Sequence, residues 1–192
     1  QFAPASFDLP AAERIRNSNK EDARATAIWD AVKNRYEAER KAFKSKLTKY
    51  MAIAEKKGGE AKAGKVLFQT CLLCHKVGNE GKNIAPALDG SASRENEALL
   101  TAILDPDAAV ESNYAVYRIT KKNGSTIEGY LVNKNNRGTT IAFMGGSQVF
   151  VEAGAIQSQG FLGGRSFMVK GLIDQYSDKQ VADLLAYIRT IK

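Results

Sequence analysis

Both cysteines and the single histidine of this 192-residue chain fall within five consecutive positions, Cys71-Leu72-Leu73-Cys74-His75. Two thiols at this spacing can each add to one vinyl group of a haem while the adjacent imidazole reaches the iron, which is the pattern of a c-type haem attachment site. A thiol–disulfide redox pair would need neither the histidine nor its position directly after the second cysteine, and no thioredoxin-like strand precedes the motif. Structural zinc takes four nitrogen or sulfur ligands and only three exist here. The expected cofactor is therefore one covalent haem c per chain, held by Cys71 and Cys74, with His75 on the iron. Both thiols are consumed, so no disulfide supports the fold.

The other axial position of such an iron has no second histidine to fill it. Met51, Met144, Met168, a lysine amine, water or nothing remain as candidates. Met51 falls on a helical stripe and Met144 in a predicted strand, where a methionine ordinarily fills space in a core. A filled site suits outer-sphere electron transfer, which needs no protein catalysis; an open or displaceable one suits a haem-based gas sensor or a peroxidase-like enzyme.

The elements that must position these groups begin with a stretch from Ser18 to Lys57 that contains neither glycine nor proline. Ser18 and Glu21 form a capping-box signature, and Ile28, Val32, Tyr36, Phe43, Leu47, Tyr50 and Ala54 recur at helical spacing. This predicts either one long helix, its stripe buried against another copy in a homodimer, or a helical hairpin folded near Lys44–Lys46. Gly58-Gly59 stops the helix. A second helix is expected over 60–70, delivering Cys71, and a third over 94–104 behind Ser93, stopped by Asp105-Pro106. The period then changes to two, predicting strands at 114–120, 126–132, 139–144 and 148–151, with Asn123-Gly124 as a hairpin turn. Residues 160–164 read as a glycine-rich loop leading to Met168. The last helix opens on Ser177 and Gln180, a second capping box, with Val181, Leu184, Leu185 and Ile188 on its buried face.

No apolar run approaches the ~20 residues that span a bilayer. The net charge is +7, and residues 1–63 carry 14 Lys and Arg against 9 Asp and Glu, so the basic character belongs to the N-terminal segment. An acidic protein partner or an anionic membrane surface would suit that stripe, as would plain solvent. Nucleic acid is not expected, because the basic segment shows no recognised binding signature. The chain begins at Gln1 and haem attachment is completed outside the cytoplasm, so a processed, exported protein of the periplasm or cell surface is expected.

Several segments in order, Gly64-Lys65-Val66-Leu67-Phe68, the haem motif, Ala85-Pro86-Ala87-Leu88, Ile103-Leu104-Asp105-Pro106, Ser166-Phe167-Met168 and Asp183-Leu184-Leu185-Ala186-Tyr187-Ile188, resemble a class I cytochrome c interrupted by a β insertion. The chain is also similar to bacterial haem-binding domains often fused to large dehydrogenases or β-propeller proteins. The resemblance covers residues 58–192. It implies that the Pro86 carbonyl accepts a hydrogen bond from the His75 ring, that Met168 is the distal ligand, and that the helices around Phe68 and Tyr187 cross in contact. Val169 stands where related chains usually place a proline. The implied fold is mainly α: an N-terminal helical segment at 1–57 and a cytochrome c-like domain at 58–192 with a small antiparallel β insertion at 111–160, separable from haem ligation. The implied role is that of a non-enzymatic electron carrier serving redox partner proteins, a dehydrogenase among them, with Lys65, Lys76, Lys82 and Lys170 near the haem edge.

Overall fold

Residues 8–56 and 58–192 of the chain are described in a computed structural model. The chain separates into two compact units, Gln1–Thr48 and Lys49–Lys192. In the first, helix α1 (Leu9–Ser18) opens behind Asp8, whose carboxylate accepts the Ala11 N–H at 2.7 Å. Pro10 sits in its first turn, where a missing N–H costs nothing. Helix α2 (Ala23–Glu55) follows a short turn in which the Asp22 carboxylate accepts the Arg24 N–H at 2.8 Å. Ser18, expected to cap the long helix with Glu21, instead closes α1. Of the two expected alternatives the long helix forms and the hairpin does not: a break at residues 19–22 separates α1 from α2, and Lys44–Lys46 lies inside an unbroken α2 of about 50 Å at 1.5 Å per residue.

Ion pairs at i,i+4 spacing, Lys33–Glu37 and Arg35–Glu39, support α2 on its solvent side. Ala12, Ala25 and Val32 are buried, and the Arg16 guanidinium lies 4.1 Å over the Trp29 ring. Of the predicted stripe, Ile28, Phe43 and Leu47 are half-buried and Tyr36 is exposed. The expected helix end at Lys57 and residues 1–7 of the N-terminal segment lie outside the described residues.

The second unit is organised by the crossing of α3 (Ala61–Phe68) and α5 (Asp178–Ile188). Phe68, 1% exposed, meets Tyr187 edge-on with ring centroids 5.1 Å apart. The backbones approach so closely that a Cβ on Gly64 would lie 1.9 Å from the Asp183 carbonyl oxygen, so no larger residue fits. The buried Asp183 carboxylate accepts the Glu60 N–H at 2.7 Å and a bond from the Lys179 ammonium at 2.9 Å. The Glu60 N–H, aided by Lys179, holds this carboxyl below its ordinary pKa. Both halves of the Ser177–Gln180 capping box form, and Val181, Leu184, Leu185 and Ile188 are buried as their spacing predicts. Helix α4 (Asn96–Leu104) begins two residues later than expected, because Ser93 closes a 3₁₀ turn at Ser91–Ser93 rather than capping the helix. Among the described residues, no helix is long and apolar enough to cross a membrane.

The mainly α expectation is overturned: the structure is 46% helical and 23% strand. After a small pair, β1 (Lys76–Val77) and β2 (Glu80–Gly81), comes a five-stranded antiparallel sheet of β3 (Ala115–Lys121), β4 (Thr126–Asn135), β5 (Gly138–Ala142), β6 (Gln148–Glu152) and β7 (Ile156–Ser166), in the order β6-β5-β4-β3-β7. The fifth strand contains the glycine-rich residues read as a loop. Gly160 pairs with Arg118 and Phe161 with Tyr117, and an edge position tolerates the weak propensity of glycine there. Tyr117, Ile119, Ile141 and Val151 form the core on one face. The Thr139 hydroxyl donates to the Gln159 side-chain oxygen at 2.7 Å, joining β5 to β7 across two intervening strands, so the sheet curls around that core.

Gly64→Ala is expected to destabilise the protein by about 1–3 kcal/mol in denaturant unfolding, the usual magnitude for forcing atoms into a packed crossing. Asp183 has a depressed pKa, so its contribution is present above the ordinary carboxylate pKa and is lost as pH falls through the lower folded value. Asp183→Asn is expected to cost about 1.5–3 kcal/mol at neutral pH, the range for hydrogen bonds to a charged group, and to flatten the acid limb of a stability-versus-pH curve.

Candidate cofactor site

The last turn of α3 delivers a 3₁₀ turn, Cys71–Leu73, and the chain then reverses so that the next segment bonds back onto it. His75 N–H and Cys74 N–H donate to the Cys71 carbonyl at 2.9 and 3.2 Å; the Leu72 carbonyl accepts from Lys82 N–H, and the Cys74 carbonyl from the N–H groups of Ile84 and Ala85. Gly81, at φ 87°, lies under the motif where a Cβ would come 2.2 Å from the His75 carbonyl oxygen. Only glycine combines that backbone angle with that approach. The loop thereby brings the Pro86 carbonyl 2.6 Å from His75 Nδ1. A carbonyl only accepts, so Nδ1 carries the proton and the Nε2 lone pair is left for a metal.

Burial sets the electrostatics of the three groups. It pushes the Cys71 thiol up to about 11. It also raises Cys74, against the opposing pull of the nearby Gly145 N–H. The His75 imidazole is pulled down by burial, against the Pro86 hydrogen bond, so it stands neutral at pH 7 as a ligand must. Cys71 and Cys74 are free thiols, both partly buried. Two unpaired thiols beside an imidazole with one nitrogen anchored and the other free make a donor set that fits covalent haem.

The three methionines occupy different settings. Met51 is half-buried on α2. Met144 is not in a strand as expected, because β5 ends at Ala142; it opens a 3₁₀ turn, Met144–Gly146, and is 49% exposed. Met168 is half-buried in the loop after β7. That loop is tied down at several points. Ser166 N–H donates to the Asp107 carboxylate at 2.7 Å and Met168 N–H to the Ser166 hydroxyl at 3.1 Å. The Lys170 ammonium lies 2.8 Å from Asp105 and 3.0 Å from Asp107. Charge pairing thus restrains the loop around Val169. Of the other lysines expected near the haem edge, Lys65 lies 3.9 Å from Glu80, Lys76 is half-buried in β1, and the Lys82 stem runs beside Gly146.

The sheet touches this site at one of its turns. The Met144–Gly146 turn sits against Cys71–Leu73. Tyr130 of β4, unnoticed in the sequence, is 5% exposed, with its ring centroid 5.3 Å from that of Phe167 and 6.4 Å from that of Tyr114. Burial, reinforced by the nearby Cys74 and Tyr114, pushes its hydroxyl up to about 12. The period-two pattern placed Tyr130 in a strand; only the tertiary pairing shows which face meets the motif.

Residues 61–192 match the sequence profile described as Cytochrome c. No curated protein matches the chain.

Lys170→Gln removes the cation between Asp105 and Asp107, each exposed pair being worth about 0.2–1 kcal/mol. Amide hydrogen exchange at residues 166–171 is expected to accelerate about two- to fivefold, while exchange in α5 stays unchanged.

Proposed function

We propose that this chain, which belongs to the cytochrome c family, is a single-haem electron carrier with His75 and Met168 as axial ligands. Membership implies covalently bound haem c and haem-based electron transfer in general. The finer reading is supported foremost by the 2.6 Å approach of His75 Nδ1 to the Pro86 carbonyl, which leaves one free imidazole nitrogen beside two free thiols. Bound haem supplies a reversible one-electron iron couple. The chain's own part is to hold that group and set its surroundings. Cys71 and Cys74 would hold the ring through thioether bonds. Pro86 fixes the tautomer and orientation of His75, and a hydrogen bond to the far ring nitrogen makes the imidazole a stronger donor. Met168, on a loop tethered by Asp107 and Lys170, offers a thioether, which raises a haem potential relative to nitrogen ligation and leaves no coordination site for substrate.

The setting that suits such a carrier is the periplasm or cell surface, with an oxidoreductase as donor, either a separate dehydrogenase or one fused to this chain. A small, transient interface of less than about 1,200 Å² is enough for this exchange. The basic residues of α2, Arg40, Lys41 and Lys44 among them, are available to an acidic partner, and a homodimer through α2 would cover the exposed Tyr36.

Protein from a host that matures c-type cytochromes is expected to carry one haem per chain by denaturing mass spectrometry. Met168→Ala should abolish the methionine-to-iron charge-transfer band and lower the reduction potential, whereas Met144→Ala should leave both nearly intact. The intact ferrous protein should bind carbon monoxide slowly or not at all. A bare polypeptide mass, or rapid stoichiometric carbon monoxide binding, would sink the proposal.

A further inference from the structure

Three observations connect the sheet to both ends of the haem site, and the inference they carry rests on the His75 and Met168 reading above. The turn between β5 and β6 lies on the attachment segment Cys71–Leu73. Tyr130 pairs across the ladder with Ala142, two residues before that turn, and is nearly sealed from solvent. Its ring meets Phe167 edge-on, centroids 5.3 Å apart and planes at 69°, and Phe167 immediately precedes Met168.

We infer that Tyr130 is a positioning residue of the haem cleft, a rigid spacer on β4 that sets the Met168 loop against the Cys71–His75 segment. The sheet is then a wall of the cofactor site, and its curvature and register are part of what holds the distal loop in place. The physical argument is one of stiffness. An aromatic ring has two side-chain torsions, and Tyr130 is packed between Tyr114 and Phe167, so its position follows the ladder that carries it. Among the described residues, the Met168 loop is otherwise held by the Ser166 hydroxyl and the Asp107–Lys170 ties. With the ring removed, the face of Phe167 toward β4 loses its support, and close-packed neighbours relax into the space left. The hydroxyl is not required by this argument; the ring is.

The test uses the haem-loaded protein and compares Tyr130→Ala, Tyr130→Phe and Phe161→Ala. The last removes an aromatic side chain that meets Tyr117 on the other face of the same sheet. Tyr130→Ala is expected to keep one covalent haem per chain, yet to lose most of the methionine-to-iron charge-transfer band, lower the reduction potential and speed carbon monoxide binding to the ferrous form at least tenfold. Tyr130→Phe should restore all three towards wild type, and Phe161→Ala should leave them unchanged. Tyr130→Leu, which keeps much of the volume, is measured in the same way if Tyr130→Ala yields no holoprotein, and is expected to weaken the band partly. A band and potential unaltered in Tyr130→Ala or, in its place, Tyr130→Leu overturn the inference alone. Equal losses in Phe161→Ala overturn it too, since they would reflect general loosening of the sheet. A wild-type holoprotein without the band overturns the Met168 reading, and this inference with it.

Discussion

The close crossing of α3 and α5 at Gly64 determines where everything else in the haem-bearing unit can go. Because Gly64 has no side chain, the two backbones meet, and Phe68 reaches Tyr187 at the end of α3, three residues before Cys71. An edge-on aromatic pair of this kind contributes about 0.5–1.5 kcal/mol beyond its buried area. Its larger effect is directional. It fixes the exit of α3, so the Cys71–His75 turn leaves the crossing on one heading, and Asp183 secures the entry of α3 from the same side through the Glu60 N–H.

From that anchored exit, the site is built mainly by backbone groups. Carbonyls of Cys71, Leu72 and Cys74 accept bonds from residues that follow them, and the Pro86 carbonyl accepts from His75. Side-chain identity matters where the backbone cannot act: Gly81, where a Cβ would collide with the motif, and Asp107 with Lys170, whose ion pair and hydrogen bond restrain the Met168 loop.

How far the sequence disclosed this arrangement depends on the range of the interactions concerned. Cys71, Cys74 and His75 were legible because their chemistry is contained in five residues. The Ser177–Gln180 box was legible because a helix start is a local bargain between two side chains and two N–H groups. Ser18 and Glu21 carry the same signature, yet the chain continues α1 through Ser18, since Asp8 and Pro10 start a helix earlier. The alternation of β3 to β6 was visible, but β7 was hidden by Gly160, Gly163 and Gly164, whose pairing with β3 depends on a partner distant in sequence. That omission made a substantial sheet look like a minor insertion. Tyr130 illustrates the same limit, since nothing near it in sequence announces Phe167 or the Cys74 segment.

The sheet also lies between His75 and Met168 along the chain, and this has a consequence for the order of folding. The attachment motif, the Gly81 turn and Pro86 close over short loops with little entropy to overcome, so they can form early and locally. The Met168 loop can reach its tethered position only after β7 has paired with β3, a contact of long sequence separation that forms slowly, whereas β4 and β5 pair as a local hairpin. On the proposed reading, His75 would be in place to hold the haem before the Met168 loop is, and that loop would arrive at the pace of a β-sheet. The sheet's folding rate would then decide how long the site stands half built.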